Sequence, residues 1–341
     1  MCMCGWDRPT VELTRLIAEM RRSARHVSSD EEPVAELDSE AIDFGVASES
    51  FAETRRLRRS DLATLGLVTT HQGRTVPTVG GLLLFGRDRL ATFPDAWVQA
   101  GRFAGTKRTG IIDSVELHGN SLPAMVDDAI GFVDRHLATG LVIEGVRHRR
   151  TRPVPTVAVR EAVINAVVHA DYSQSGAPIR VAVFDDRVEI ENPGLLPFGM
   201  TVDDMRNGVS RVRNRILART FRELGYIEQW GSGIPRMTAA CTQMGLPEPQ
   251  IDEIAGRVRL TLHASPSGSP QLDDIDRQII DHLAERNGVT TAMLAKAIER
   301  TPRATRTRLA SLVHRGLIVG IGSGPNDPQR RYYSSAPAVR R

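Results

Sequence analysis

REAVINAVVHADYS, residues 160–173, is a helix-length run in which Glu161, Asn165 and His169 recur every fourth position among Ala and Val. Side chains at that spacing share one helix face. Val159, Ala162, Val163, Ala166, Val167 and Ala170 make the rest of the circumference apolar. A narrow polar line on such a helix has two readings. It is the solvent stripe of a half-buried helix, or it is a row of groups facing a polar ligand.

The residues downstream weigh toward the second. Ile179–Phe184 and Val188–Glu191 alternate with period two and join through Asp185-Asp186-Arg187, which predicts a β-hairpin. Its second strand ends in Glu191-Asn192-Pro193-Gly194, a turn whose glycine lets another group approach the backbone. An Arg- and Asn-rich stretch, RNGVSRVRNR, precedes one helix, and Trp230-Gly231-Ser232-Gly233 introduces another. A Gly-Ser-Gly turn entering a helix offers backbone N–H groups and a positive dipole end to an anion such as phosphate. From Val154 to about His263, helix and strand alternate as in an α/β sandwich with its sheet covered on one face.

The chain has 341 residues, more than one hydrophobic core usually organises, so two or three domains are expected. Residues 1–52 combine a short helical pattern with the acidic SSDEEPVAELDSE and are expected to be poorly ordered. An α/β segment over 53–150 follows. In it Glu53–Leu65 reads as a basic amphipathic helix, LLLF and AWVQAGRF as short buried strands, and Leu122–Leu137 as a helix. Residues 151–263 form the sandwich. Residues 264–271, ASPSGSPQ, are small, polar and broken by proline, which marks a linker.

Beyond the linker, residues 272–335 read as three helices and a hairpin, the pattern of a winged helix-turn-helix. The third helix has Thr301 as N-cap and Pro302 at its first position, and it stops at Gly316. It would present Arg303, Thr305, Arg306 and Arg308 to base edges, with Arg330 and Arg331 meeting phosphate from the wing. From Gln271 onward, 12 Arg and Lys face 7 Asp and Glu. That surplus exceeds the +3 of the whole chain, so double-stranded DNA is the expected partner.

The order of these parts resembles the ATP-binding domain shared by gyrase, Hsp-type chaperones, MutL-like and sensor-kinase ATPases, the Bergerat or GHKL fold. It is most similar to the subfamily of Schlafen-AlbA, RecG-related transcriptional regulators. The resemblance is carried by REAVINAVVHADYS, IRVAVFDDRVEIENPGLLP, NRILARTFRELGYIEQWGSGIPRM and GLPEPQI, and upstream by PTVGGLLLFGRD and FPDAWVQAGRFAG. The fold it implies is α+β: a GHKL-type α/β sandwich, preceded by a small α/β segment and followed by the winged helix. It implies ATP and Mg²⁺ as cofactors. Glu161 would be the catalytic carboxylate that activates water and Asn165 the Mg²⁺-binding amide. Asn192 and Gly194 would face adenine, Gly231, Ser232 and Gly233 the phosphates, while His169 and Asp171 belong to the same nucleotide motif. An amide oxygen completed by water and phosphate suits Mg²⁺.

Two positions depart from that pattern. Val168 stands where the superfamily usually has an Asp three residues after the Mg²⁺ ligand, and Glu191-Asn192-Pro193-Gly194-Leu195 replaces its Asp-x-Gly-x-Gly turn. Residues 1–50 are also too short and polar for the AlbA-like domain of the subfamily.

Other chemistries find no support. Neither lysine, Lys107 nor Lys296, follows a glycine, so the phosphate loop of a helicase motor is missing. No HExxH and no GxSxG occurs. Cys2, Cys4 and Cys241 are too scattered for a disulfide framework, which points to a reducing cytoplasm, and no apolar run reaches the length of a membrane span. The leading expectation is a homodimeric, ATP-sensing DNA-binding regulator. An ATPase with a conformational cycle, and a degenerate nucleotide fold serving as a dimerising scaffold, are the alternatives.

Overall fold

A computed structural model describes residues 28–137, 140–144, 147–151, 153–209, 211–227, 233–264, 274–285, 288–314, 317–322 and 330–334. The chain divides into two compact units, Met1–Ser267 and Gly268–Arg341, with the break inside the ASPSGSPQ stretch.

Strands β1 (Val68–His71) and β2 (Arg74–Pro77) form a hairpin, and β5 (Gly140–Glu144) and β6 (Arg147–Thr151) form another. The main sheet of the first unit has six strands: β3 (Val98–Phe103), β4 (Ile111–Leu117), β7 (Ile179–Val183), β8 (Arg187–Pro193), β9 (Gln250–Ile254) and β10 (Arg257–His263). Their spatial order is β4-β3-β7-β8-β10-β9, and only β3 and β7 run parallel. The sheet therefore crosses residue 150, where one segment was expected to end and the next to begin.

Period two explains how the sheet is covered. Val98, Ala100, Val181, Val183, Val188, Ile190 and Leu262 are buried on one face, in the same core as the helices Leu122–Leu137 and Thr156–His169. On the other face, Arg180, Glu191, Arg259 and Asp252 stand in register across four neighbouring strands. Alternating charge along such a row is favourable, whereas like charges side by side would not be. Glu191 accepts bonds from Arg108 and from Arg259, the latter at 2.8 Å.

Three expectations for the chain before the sheet are corrected. SSDEEPVAELDSE is ordered: it carries two short 3-10 turns, Ser29–Glu31 and Ser39–Ala41. Asp30 is fully buried, and its carboxylate accepts the backbone N–H groups of Arg215, Ile216 and Leu217 at 3.0, 2.7 and 3.0 Å. Acidic composition alone points to solvation, whereas the helix start that Asp30 caps, that of Arg215–Glu223, lies 185 residues away. Of the basic helix expected over Glu53–Leu65 only its last turn, Asp61–Leu65, is helical, stopped by Gly66 in the left-handed region, and a separate short helix, Phe44–Ser50, precedes it. LLLF belongs to the helix Val79–Phe85, started by Thr78, whose Oγ1 accepts from Gly81 N at 3.0 Å. Gly80 through Phe85 are all buried, and a short apolar run wanted on every side carries no helical period.

The second unit contains the helices Asp274–Glu285, Thr291–Ala297 and Pro302–His314 and the strands β11 (Val289–Thr290), β12 (Ile318–Ile321) and β13 (Arg331–Ser334), which form a sheet of order β11-β13-β12. Its own core holds Ile279, Leu283, Leu294, Leu309, Leu312 and Tyr332. Arg303 and Arg306 are exposed on the third helix. Thr305, expected at a base edge, is corrected: it is fully buried, and its hydroxyl donates to Thr301 O at 3.0 Å. Arg308 is not a free surface cation either, since Nη1 bonds Asp276 at 2.8 Å. Arg331 is exposed and donates to Gly288 O at 2.8 Å, and the Arg330 guanidinium lies 5.7 Å from the Tyr332 ring. Among the described residues no helix is long and apolar enough to cross a membrane.

Candidate functional site

The helix Thr156–His169 is buried almost all round, Glu161 included at 6% exposure, so its polar line is not a solvent stripe. Glu161, Asn165 and His169 instead line one cavity of about 300 Å³. Asn192 and Ile190 of β8 and Leu260 of β10 form its floor, and Gly233 lies on its wall. Residues between Leu195 and Val209, with Arg211, Val212 and Arg213, also line it; Leu195, Val209 and Val212 among them are exposed.

The helix ends where a buried amide stops it. Asn214 Nδ2 donates to the carbonyl oxygens of Val168 and Ala170, both at 2.8 Å, and the Tyr172 hydroxyl donates to Val167 O at 2.9 Å. These bonds satisfy carbonyls that a helix terminus leaves open and fix the direction of the His169 end.

The electrostatics of the cavity are cationic. Arg211, Arg213, Arg222 and Arg236 line it, and Glu161 is the one carboxylate among the described lining residues. Glu161 Oε2 accepts from Arg236 Nη2 at 3.0 Å. The Asn165 side chain lines the cavity at partial exposure. Burial, reinforced by Arg213, depresses the His169 pKa from 6.5 to about 4, so the ring is neutral at pH 7.

Between pH 4 and 6.5 the unfolded chain binds the His169 proton and the folded one does not, so stability is lost as pH falls through this window. His169→Gln is expected to flatten the fall, by up to about 3 kcal/mol from pH 7 to 4. Denaturant titrations at several pH values read it; an unchanged slope in the variant would remove His169 as the cause.

Asp171 and Gly194 lie beside the cavity rather than on its lining. Gly194 has φ +95°, and a Cβ there would meet Asp171 Cβ at 2.9 Å and Arg213 Cζ at 3.5 Å. The turn thus needs glycine to pack against Asp171. Burial works against the Asp171 carboxylate, but bonds from Ser173 and Gln174 and the charge of Arg213 outweigh it and hold its pKa below the usual range. Gly231 and Ser232 lie outside the described residues. Two of the four arginines stand in RNGVSRVRNR, where nothing in the local pattern marks them as ligands, and Asn214 in the same stretch carries no signal of its own.

Residues 176–262 match the family described as "Putative ATP-dependent DNA helicase recG C-terminal". The first unit carries a GHKL-like domain. The matched span of this GHKL-like domain runs from β7 into β10 and includes Asn192, Gly194 and Arg211–Arg213, while the helix bearing Glu161 and Asn165 precedes it. The chain is also similar to the crystal structure of the DIP2311 protein from Corynebacterium diphtheriae, with a TM-score of 0.59 and 21% identity over 94% of this chain and 67% of that one. That likeness is one of fold. No curated protein matches the sequence.

Proposed function

We propose that the cavity of the GHKL-like domain binds ATP or a related nucleotide, and that the second unit is a winged helix-turn-helix that binds double-stranded DNA under its control. The observation that carries the first half is the cavity lining, four arginines against one carboxylate with Asn165 and Asn192 between them. Such a lining selects an anion with groups able to bond amides, and a nucleoside polyphosphate has both.

Mg²⁺ fits this lining only as part of a nucleotide complex. Asn165 offers one oxygen of the kind the ion prefers, Val168 offers none, and no group of three or more His, Cys, Asp or Glu among the described residues is placed to hold a metal. Bound with a nucleotide, the ion would neutralise phosphate charge beside Asn165. Glu161, engaged by Arg236, favours binding over turnover as the working activity.

For the DNA half, support comes from the order helix, strand, helix, helix, strand, strand and from Arg303 and Arg306 exposed on the third helix. Arg330 and Arg331 at the hairpin would add phosphate contacts. A homodimer reading two half-sites is the arrangement this geometry favours. Linkage requires reciprocity: whatever factor nucleotide imposes on DNA affinity, DNA imposes on nucleotide affinity. A coupling of about five-fold or more is expected when ATP is titrated with and without saturating DNA. Identical nucleotide affinity in both titrations would separate the two units functionally and end the regulatory reading.

A further inference from the structure

Glu161 lies where a ligand's anion is wanted. Arg236 bonds it at 3.0 Å, and Arg211, Arg213 and Arg222 line the same cavity. Its other oxygen presses on the first residue of the helix Gly233–Gln243, so that a Cβ on Gly233 would collide with Oε1. The side chain of Glu161 is 7% exposed and that of Arg236 31%, and both line the cavity.

We propose that Glu161 is a built-in anion: it pairs with Arg236 until a phosphate group of the nucleotide displaces it and takes Arg236 as partner. This rests on the nucleotide reading above and adds to it a phosphate ligand, Arg236, and a competitor, Glu161. A phosphate can accept two parallel bonds from one guanidinium and brings more charge than a carboxylate, so the exchange is favourable once phosphate is present. Glu161 then holds the arginine in place and keeps a buried cavity from presenting an unopposed cation. Asn165, one helical turn from Glu161 on the same face, stands next to the displaced position.

The competition can be read in binding. ATP is titrated by calorimetry into the full chain and into Glu161→Gln, Arg236→Met and Arg236→Lys, each checked for a cooperative melt. Glu161→Gln keeps the shape and an oxygen for Arg236 but removes the competing charge, and is expected to bind ATP about tenfold more tightly. Arg236→Met is expected to bind about tenfold more weakly, and Arg236→Lys to recover part of that loss. Should Arg236→Met fail to fold for want of the ion pair, Glu161→Gln and Arg236→Lys decide. Equal or weaker ATP binding by Glu161→Gln would overturn the competition while leaving the nucleotide site standing. Absence of ATP binding by both the parent chain and Glu161→Gln would overturn the nucleotide reading and this inference together.

Discussion

Replacing Asp30 by alanine is expected to destabilise the first unit by about 3 kcal/mol. The carboxylate accepts three successive backbone N–H groups at the start of the helix Arg215–Glu223, those of Ile216 and Leu217 buried and that of Arg215 partly so. Without it those donors face no acceptor, and each buried donor left open costs about 1 to 3 kcal/mol. Part of that gain is already offset in the native protein, because burial raises the Asp30 pKa against the bonds from Ser28, Leu217 and Ile216. The net figure is therefore kept below the sum of three bonds. Asp30→Asn, which retains one acceptor oxygen, should lose less than Asp30→Ala. Chemical denaturation followed by circular dichroism reads the difference; a loss under about 1 kcal/mol for alanine would show that water replaces the carboxylate.

An equal or larger loss, at least about 3 kcal/mol, is expected for Gly81→Ala. The helix Val79–Phe85 packs its first turn on Leu67, and a Cβ at Gly81 would collide with the Leu67 carbonyl oxygen and come within 2.8 Å of its carbon. Its neighbour Gly80 would place a Cβ 2.8 Å from Ile216, whose backbone N–H Asp30 accepts. Neither obstacle is the movable end of a long side chain at Gly81; it is backbone. Relief would require moving the whole helix, whose Leu82, Leu83, Leu84 and Phe85 are core residues. A thermal midpoint for Gly81→Ala within a degree of the parent protein would contradict this packing.

PTVGGLLLFG was visible as a motif, but the reason for its paired glycines is a contact with Leu67 and Ile216 that no local pattern encodes. Strands β7 and β8 were readable because their alternation is local, and the helix Leu122–Leu137 because it faces the core on one side only. Asp30 and Asn214 were not readable: each serves backbone groups far away in sequence, at separations of 185 and 46 residues for the bonds to Arg215 and Val168. For the site, the spacing of Glu161, Asn165 and His169 identified one face of one helix correctly, and the cavity lies on that face. What the spacing could not supply was the partner of Glu161, since Arg236 stands on another helix and looks in the sequence like any other arginine.

A nucleotide site in the cavity makes the protein's stability depend on ATP, which one titration reads. The full chain and Asn165→Ala are melted with increasing ATP and Mg²⁺ up to millimolar concentration. The parent protein should show saturable stabilisation, about 2.7 kcal/mol when ligand reaches a hundred times Kd, and Asn165→Ala should require at least about tenfold more ligand for the same effect. No stabilisation of the parent at millimolar ATP, or the same curve for both proteins, would contradict it and leave a GHKL-like fold that serves the chain as a scaffold.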